Sequence, residues 1–393
     1  MKRSTDRILT SHCGSLPRPR ELLAPLHAKD GGDPYDADDL ARRVRTSVRE
    51  VVRKQAEIGI DVVDDGEHSK SSFAHYARAR IGGLERRNEP QRYLGTATRD
   101  SLAFPGVYEE MRVMFAARAD KIGKPRGMQA MVCAGPIKYI GHKELAADIE
   151  NLKSAVDGLK VAEAFITAIS PTNLEMYLPN EYYRSEEEYL VALAEAMNEE
   201  YRTIVDAGFL LQIDDPRLIT YYNRTPGISL ADNRKFMTLR VEIVNHALRG
   251  IPEDRVRFHT CYSVNVAPRI HDLELEHYVD LMLTIRAQTY SFEASNPRHE
   301  HEWKVWEQVK LPDGKVLMPG VVSHCVYQVE HPELVAQRIE RFARVVGREN
   351  VIAGNDCGFA TAAAGDEVHA DVAWAKLKSL AEGAEIASGR LWR

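Results

Sequence analysis

What the sequence lacks narrows its reading first. No stretch reaches 18 consecutive apolar residues, the length a helix needs to cross a bilayer. The N-terminal MKRSTDRILTSHCGS carries early positive charges but no apolar segment of the secretory type. Long basic runs are also missing, and the formal net charge of −6 arises from intermixed acids and bases, which leaves no electrostatic track for nucleic acid. Neither G-x-G-x-x-G nor a Walker A loop follows any β-like run, so the two common nucleotide cradles have no support. The five cysteines (Cys13, Cys133, Cys261, Cys325 and Cys357) are odd in number and dispersed. That pattern argues against a disulfide framework and leaves thiols free for metal. The expectation is a soluble, cytoplasmic protein with neither a nucleic-acid nor a membrane partner.

With 393 residues, 44% of them hydrophobic, the chain can bury a large core. Eight short β-rich runs recur along it: RILTSHCGS, DVVDDGE, AFITAISP, FLLQIDDP, RVRFHTC, TYSFEAS, LMPGVVSH and VIAGNDCG. Amphipathic helical patterns lie between several of them, such as SEEEYLVALAEAMNEEYRTIVDAG, with Ser185 as N-cap and Gly208 as stop, and PELVAQRIERFARVVG, closed by Gly347. Eight strands alternating with helices predict an α/β fold, a (β/α)₈ barrel with insertions in its βα loops, spanning residues 1–393 as one domain. A doubly wound open sheet is the alternative. MQAMVCAGPIKYIG reads as an insertion near the barrel mouth, NPRHEHEWKVWEQVKLPDGK as a solvated interruption of the seventh βα unit, and PRPRELLAPLHAKDGGDPYD as a further insertion.

Polar residues cluster where these runs end: Ser15, Glu67, Asp214, His259 with Cys261, Glu293, His324 and Cys357. In a barrel those ends converge on one face. Residues i and i+2 of a strand point the same way, so His259 and Cys261 project together. With Glu293 and Cys357 they form a nitrogen, sulfur and oxygen set that suits tetrahedral zinc, the carboxylate being exchangeable for substrate. Each residue alone has a plainer reading, a thiol as a small core residue or a glutamate as a solvated strand end. His12 and Cys13 could line the pocket without touching metal, and Cys325 is expected to pack in the core, pointing away from His324.

The motifs SHCGSLPR, DVVDDGEHSKSSF, LQIDDPRL, HTC, FEAS, GVVSH and NDCGFAT together resemble the cobalamin-independent methionine synthase family, in its catalytic barrel, over nearly the whole chain. The short single-barrel relatives, which include proteins of the epoxyalkane:coenzyme M transferase kind, are the nearer likeness. The resemblance implies zinc ligands at His259, Cys261, Glu293 and Cys357. It implies a homocysteine site at Ser15, Glu67 and Asp214, and a proton donor at His324. Two positions depart from the family: Thr220 stands where an acid reads the pterin ring, and Tyr177 where a tryptophan stacks. The implied activity is zinc-dependent transfer of a methyl or other alkyl group to a thiol, from a methyltetrahydropteroyl donor to homocysteine in methionine biosynthesis, or from another donor such as an epoxide to coenzyme M. The implied partners are a small-molecule thiol and an alkyl donor, with a homo-oligomer left open. A hydrolase using zinc-bound water and a non-catalytic zinc binder are the rivals from other classes.

Overall fold

The computed structural model describes residues 1–90, 97–122, 129–262, 267–362 and 368–393. Among these residues ten strands form in chain order: β1 (Leu9–Thr10), β2 (Val62–Val63), β3 (Ile81–Pro90), β4 (Gln129–Tyr139), β5 (Glu163–Ile169), β6 (Leu210–Asp214), β7 (Val256–Thr260), β8 (Thr289–Phe292), β9 (Val316–Val322) and β10 (Ile352–Asn355). Eight of them lie side by side in the order β1-β10-β9-β8-β7-β6-β5-β2, every neighbouring pair parallel. A parallel bridge between Ser11 and Val62 joins the two ends of the row and closes the barrel. All eight β-like runs of the sequence became these strands, and the closed ring disposes of the open doubly wound sheet.

The helices form where capping and periodicity place them. Ser185 accepts a hydrogen bond from the Glu188 N–H at the start of the helix Glu186–Asp206. That helix buries Leu190, Leu193, Met197, Tyr201 and Ile204 against the barrel. The helix Pro332–Val346 packs on the terminal helix Ala370–Leu391, where a side chain at Gly383 would meet Val335 Cγ1 at 2.4 Å, so only glycine allows the approach. Inside the barrel two small apolar clusters, Leu9–Val316–Met318–Ile352 and Val62–Phe165–Leu210, flank the buried Arg257. Its guanidinium donates to Ser11 Oγ and the His12 carbonyl and lies 3.9 Å from the Phe165 ring centroid. No helix among the described residues is long and apolar enough to cross a membrane.

Between β2 and β5 the chain leaves the barrel as the antiparallel pair β3–β4 and the helices Arg99–Ala103 and Pro105–Ile122. This excursion includes the extra β-run expected as an insertion. It docks on the C-terminal face: Arg99 donates to the Tyr222 and Ile228 carbonyls, and Asp100 accepts from Asn223 Nδ2 and pairs with His271. Two expectations need correction. NPRHEHEWKVWEQVKLPDGK follows β8, the sixth barrel strand, and is the crossover of the sixth unit, not an interruption of the seventh. Nor is it wholly solvated. Trp306 is buried beside Phe292, and His299 is almost completely buried because its ring stacks on Tyr262 at 4.0 Å. Cys325 also differs: it lies in the loop past β9, half-buried, its Sγ 3.7 Å from Ser323 Oγ, so it is no core residue.

Candidate functional site

The end of β7 carries His259 on the strand and Cys261 just beyond it, and β10 runs into Cys357. Their ligand atoms lie within 4.8 Å of one another, and all three residues are buried. His259 Nδ1 is 3.0 Å from Ser291 Oγ on β8, while its Nε2 is buried with no hydrogen-bond partner. Burial, helped by the charge of Arg257, lowers the imidazole pKa to about 3, so the ring is neutral and available as a donor. The thiols of Cys261 and Cys357 are 3.0 Å apart. Their mutual hydrogen bond, then burial, raises Cys357 well above the usual thiol range. A cation between two thiols and an orphaned imidazole nitrogen would reverse both penalties, which is the fit that tetrahedral zinc requires.

The strands meeting here are tied together behind the donors. Asp356 accepts from the Ala294 and Ser295 N–H groups at 2.8 and 2.9 Å and from Ser295 Oγ at 2.6 Å, joining the Cys357 loop to the Glu293 loop. Asn355 accepts from the Cys13 N–H and donates to the Cys357 carbonyl. Glu293 itself stands outside the three-residue cluster. Its carboxylate accepts from the Tyr262 N–H at 2.6 Å, from Asn296 Nδ2 at 2.6 Å and from Arg269 Nη2 at 3.0 and 3.1 Å. Burial pushes its pKa up to about 7, with Arg269 pulling the other way.

A second group of acids lies alongside. Glu67 sits after β2 with φ 59, and Asp214 closes β6. Both are buried, as is Ser15 after β1. Lys70 Nζ donates to Thr167 Oγ1 at 2.7 Å, and that hydroxyl donates to Glu67 Oε1 at 2.8 Å, which fixes the carboxylate. Burial, then the neighbouring charge of Glu67, pushes Asp214 well above the usual carboxylate range. Arg18 and Lys70 stand 3.8 and 4.0 Å from the Glu67 carboxylate, while the raised Asp214 carboxyl beside it would gain from a further cation. Cys13 connects the two halves. Its Sγ is 3.5 Å from His259 Nδ1, and its carbonyl accepts from Gln212 Nε2, which also donates to Asp214 Oδ1. Ser15 joins them from the other side, its carbonyl accepting from Phe359 N, two residues past Cys357.

Thus the structure brings His259, Cys261 and Cys357 into one cluster and sets Glu67, Asp214 and Ser15 beside it. His324 is fully buried two residues beyond β9. Tyr177 is half-buried against the main apolar cluster. Thr220 spends its hydroxyl on the Pro216 carbonyl at 2.8 Å, so it offers no charge to a ring nitrogen. His12 is buried and bonds Gln55 at 2.8 Å, and burial lowers its pKa to about 4. Sequence reasoning passed over Asp64, Lys70, Arg269, Asp272 and Asp356, and it read His299, in the run RHEHEW, as solvated surface, whereas the ring is buried. Asp64 and Lys70 stand inside the quoted DVVDDGEHSK motif, and Asp356 adjoins Cys357. Arg269 and Asp272 carried no local signal.

No protein-family model matches the chain. Similar proteins do. It is 26% identical over 388 residues to a methionine synthase of Thermococcus kodakarensis, covering 98% of this chain and 94% of that protein. Over nearly its whole length, then, the chain resembles proteins named methionine synthase. A methionine synthase of Saccharolobus solfataricus is 25% identical over 98% of this chain and 96% of its own length. The solved structure of a B12-independent methionine synthase from Shewanella sp. W3-18-1, in complex with selenomethionine, superposes with a TM-score of 0.72 over 98% of this chain and 99% of that one, at 18% identity. That structural likeness carries the fold alone.

Proposed function

We propose that the chain, as one catalytic barrel spanning residues 1–393, transfers a methyl group to the thiol of homocysteine, with zinc held by His259, Cys261 and Cys357 and with Glu293 as an exchangeable fourth ligand. The observation that carries the reading is the meeting of an orphaned His259 Nε2 and two buried thiols with a buried acid pair one residue, Cys13, away. The full-length kinship with proteins named methionine synthase supports it. Zinc, when bound, supplies an acceptor thiol that has lost its proton yet stays nucleophilic at neutral pH.

The protein's own groups do the rest. Glu67 and Asp214 receive the ammonium of an amino-acid thiol through charge-assisted hydrogen bonds, with Thr167 and Lys70 keeping Glu67 aimed. Ser15 borders the same space beside Gly358. Burial of these residues excludes water from the acceptor sulfur and limits the orientations open to it. The new S–C bond forms as the bond from carbon to the donor's leaving nitrogen breaks, and an imidazole nitrogen of His324 returns a proton to that nitrogen. A reducing, cytoplasmic setting suits five free cysteines.

One observation favours a second donor. Thr220 is neutral and bonded to its own helix, which removes the acid that reads a pterin. Another electrophile, such as an epoxide opened by coenzyme M, keeps the same thiol chemistry. Glu67 and Asp214 oppose that acceptor, because two buried carboxylates repel a sulfonate. The test is zinc X-ray absorption on the zinc-loaded protein, alone, with homocysteine and with coenzyme M. A third sulfur neighbour with homocysteine only is the expected result. No added sulfur with either thiol overturns the thiolate reading, and one with coenzyme M alone overturns the acceptor.

A further inference from the structure

Arg269 has no part in the chemistry above, yet it is the residue most heavily engaged with it. It is one of two non-glycine residues with positive φ among those described, at φ 60. An L-residue resists such a backbone, which persists only where the surroundings hold it. They do. Arg269 Nε donates to Asp272 Oδ2 at 2.8 Å, and Nη2 reaches both oxygens of Glu293. Asp272 Oδ2 is in turn 3.2 Å from His299 Nε2, whose Nδ1 is 2.9 Å from Glu302 Oε2. Tyr262, next to the cluster residue Cys261, stacks on His299, and the guanidinium lies 5.3 Å from the same ring. A chain of alternating charge, Glu293, Arg269, Asp272, His299 and Glu302, thus runs from the cluster into the protein.

We propose that Arg269 is a positioning residue that competes with the metal for Glu293, holding the carboxylate aside so that the acceptor thiol can take the fourth position; the inference rests on the zinc–thiolate reading. The exchange balances. Glu293 leaves as a carboxylate and keeps its negative charge in the Arg269 fork. The thiol gives its proton to solvent and enters as a thiolate. The charge on the ion's ligand set is the same before and after. With Arg269 absent, Glu293 loses two charge-assisted hydrogen bonds in its withdrawn position and stays on the metal.

The test titrates zinc- and cobalt-loaded protein with homocysteine, reading the thiolate–cobalt absorption and the zinc sulfur count. Arg269→Gln is expected to raise the half-saturating homocysteine by about tenfold to a hundredfold at unchanged metal stoichiometry. Arg269→Lys, which keeps the charge and loses the fork, is expected to fall between, and it serves if the glutamine variant does not fold. In a Glu293→Gln background the Arg269 replacement should alter half-saturation by less than about twofold. Wild-type affinity in Arg269→Gln overturns the proposal, as does an equal loss in both backgrounds, which marks a merely structural role. If wild-type protein gains no third sulfur, the zinc–thiolate reading itself fails, and the role of Arg269 with it.

Discussion

Raising the pH through the range from 6.5 to about 9 should weaken this fold in a way that depends on His299. The ring is buried, and both of its nitrogens face acids, Asp272 at 3.2 Å and Glu302 at 2.9 Å. Burial works against an imidazolium there, but the two hydrogen-bonded carboxylates overcome it and push the pKa up to about 9 from the usual 6.5. Arg269 is the opposing cation, itself bonded to Asp272. Because the folded value lies above the unfolded one, the stabilisation is fully present below about 6.5 and is lost as pH rises through about 9. The gap is worth roughly 3 kcal/mol at about 1.36 kcal/mol per pH unit. The assay is urea unfolding of wild type and His299→Gln at pH 6, 7.5 and 9.5 and constant ionic strength. The difference between the two proteins at each pH cancels the other titrating groups. It should shrink by roughly 3 kcal/mol between the first and last pH. A difference that is the same at pH 6 and 9.5 would show that His299 binds its proton no more tightly folded than unfolded, and one that grows with pH that the folded ring is neutral; either refutes the charge chain described above.

Two further outcomes bear on the site. Cys357→Ser should lose bound zinc and transfer activity together while the far-ultraviolet circular dichroism is kept; stoichiometric zinc in that variant removes Cys357 from the ligand set. Gly358→Ala would place a Cβ 2.0 Å from Ser15 Oγ, forcing that hydroxyl to turn, so KM for homocysteine should rise by roughly tenfold with a small change in kcat; an unchanged KM in folded protein removes Ser15 from the substrate site.

The barrel was legible because each strand is a short β-branched run closed by a polar residue, a pattern that repeats at intervals long enough for a helix. Even β1 and β2, two residues long each, stood out as RILT and DVV through the polar groups after them. The cluster of His259, Cys261 and Cys357 was legible for the same reason, since strand ends of a barrel share a face. What surrounds Glu293 was not. A carboxylate at a strand end reads alike whether it is bound to a metal or to a guanidinium 24 residues earlier. The choice depends on a loop conformation, φ 60 at Arg269, that no local pattern announces. His299 was hidden by its neighbours: RHEHEW is polar enough to look solvated, and only the stacking of Tyr262 and the burial of Trp306 make it interior.

The two strained residues, Glu67 and Arg269, suggest how the molecule affords so many buried charges. The run DVVDDGE looks like an acidic site, but its acids have different tasks. Asp64 Oδ1 accepts from the Gly66 N–H and Asp65 Oδ1 from the Glu67 N–H, so these two side chains fold the turn. Asp65 is raised to about 6 chiefly by burial, as expected of a carboxyl kept for backbone hydrogen bonds. The turn then holds Glu67 at φ 59 and delivers its carboxylate to Thr167. Asp272 aims the Arg269 side chain, accepting from its Nε from three residues away. At Glu67 the aspartates hold the backbone and at Arg269 the aspartate holds the side chain, and each strained residue carries a charge to the mouth of the barrel. Outliers of this kind collect where a binding geometry must exist before the ligand arrives. One such backbone holds Glu67 for an ammonium and the other holds Arg269 against Glu293, as the proposed exchange requires.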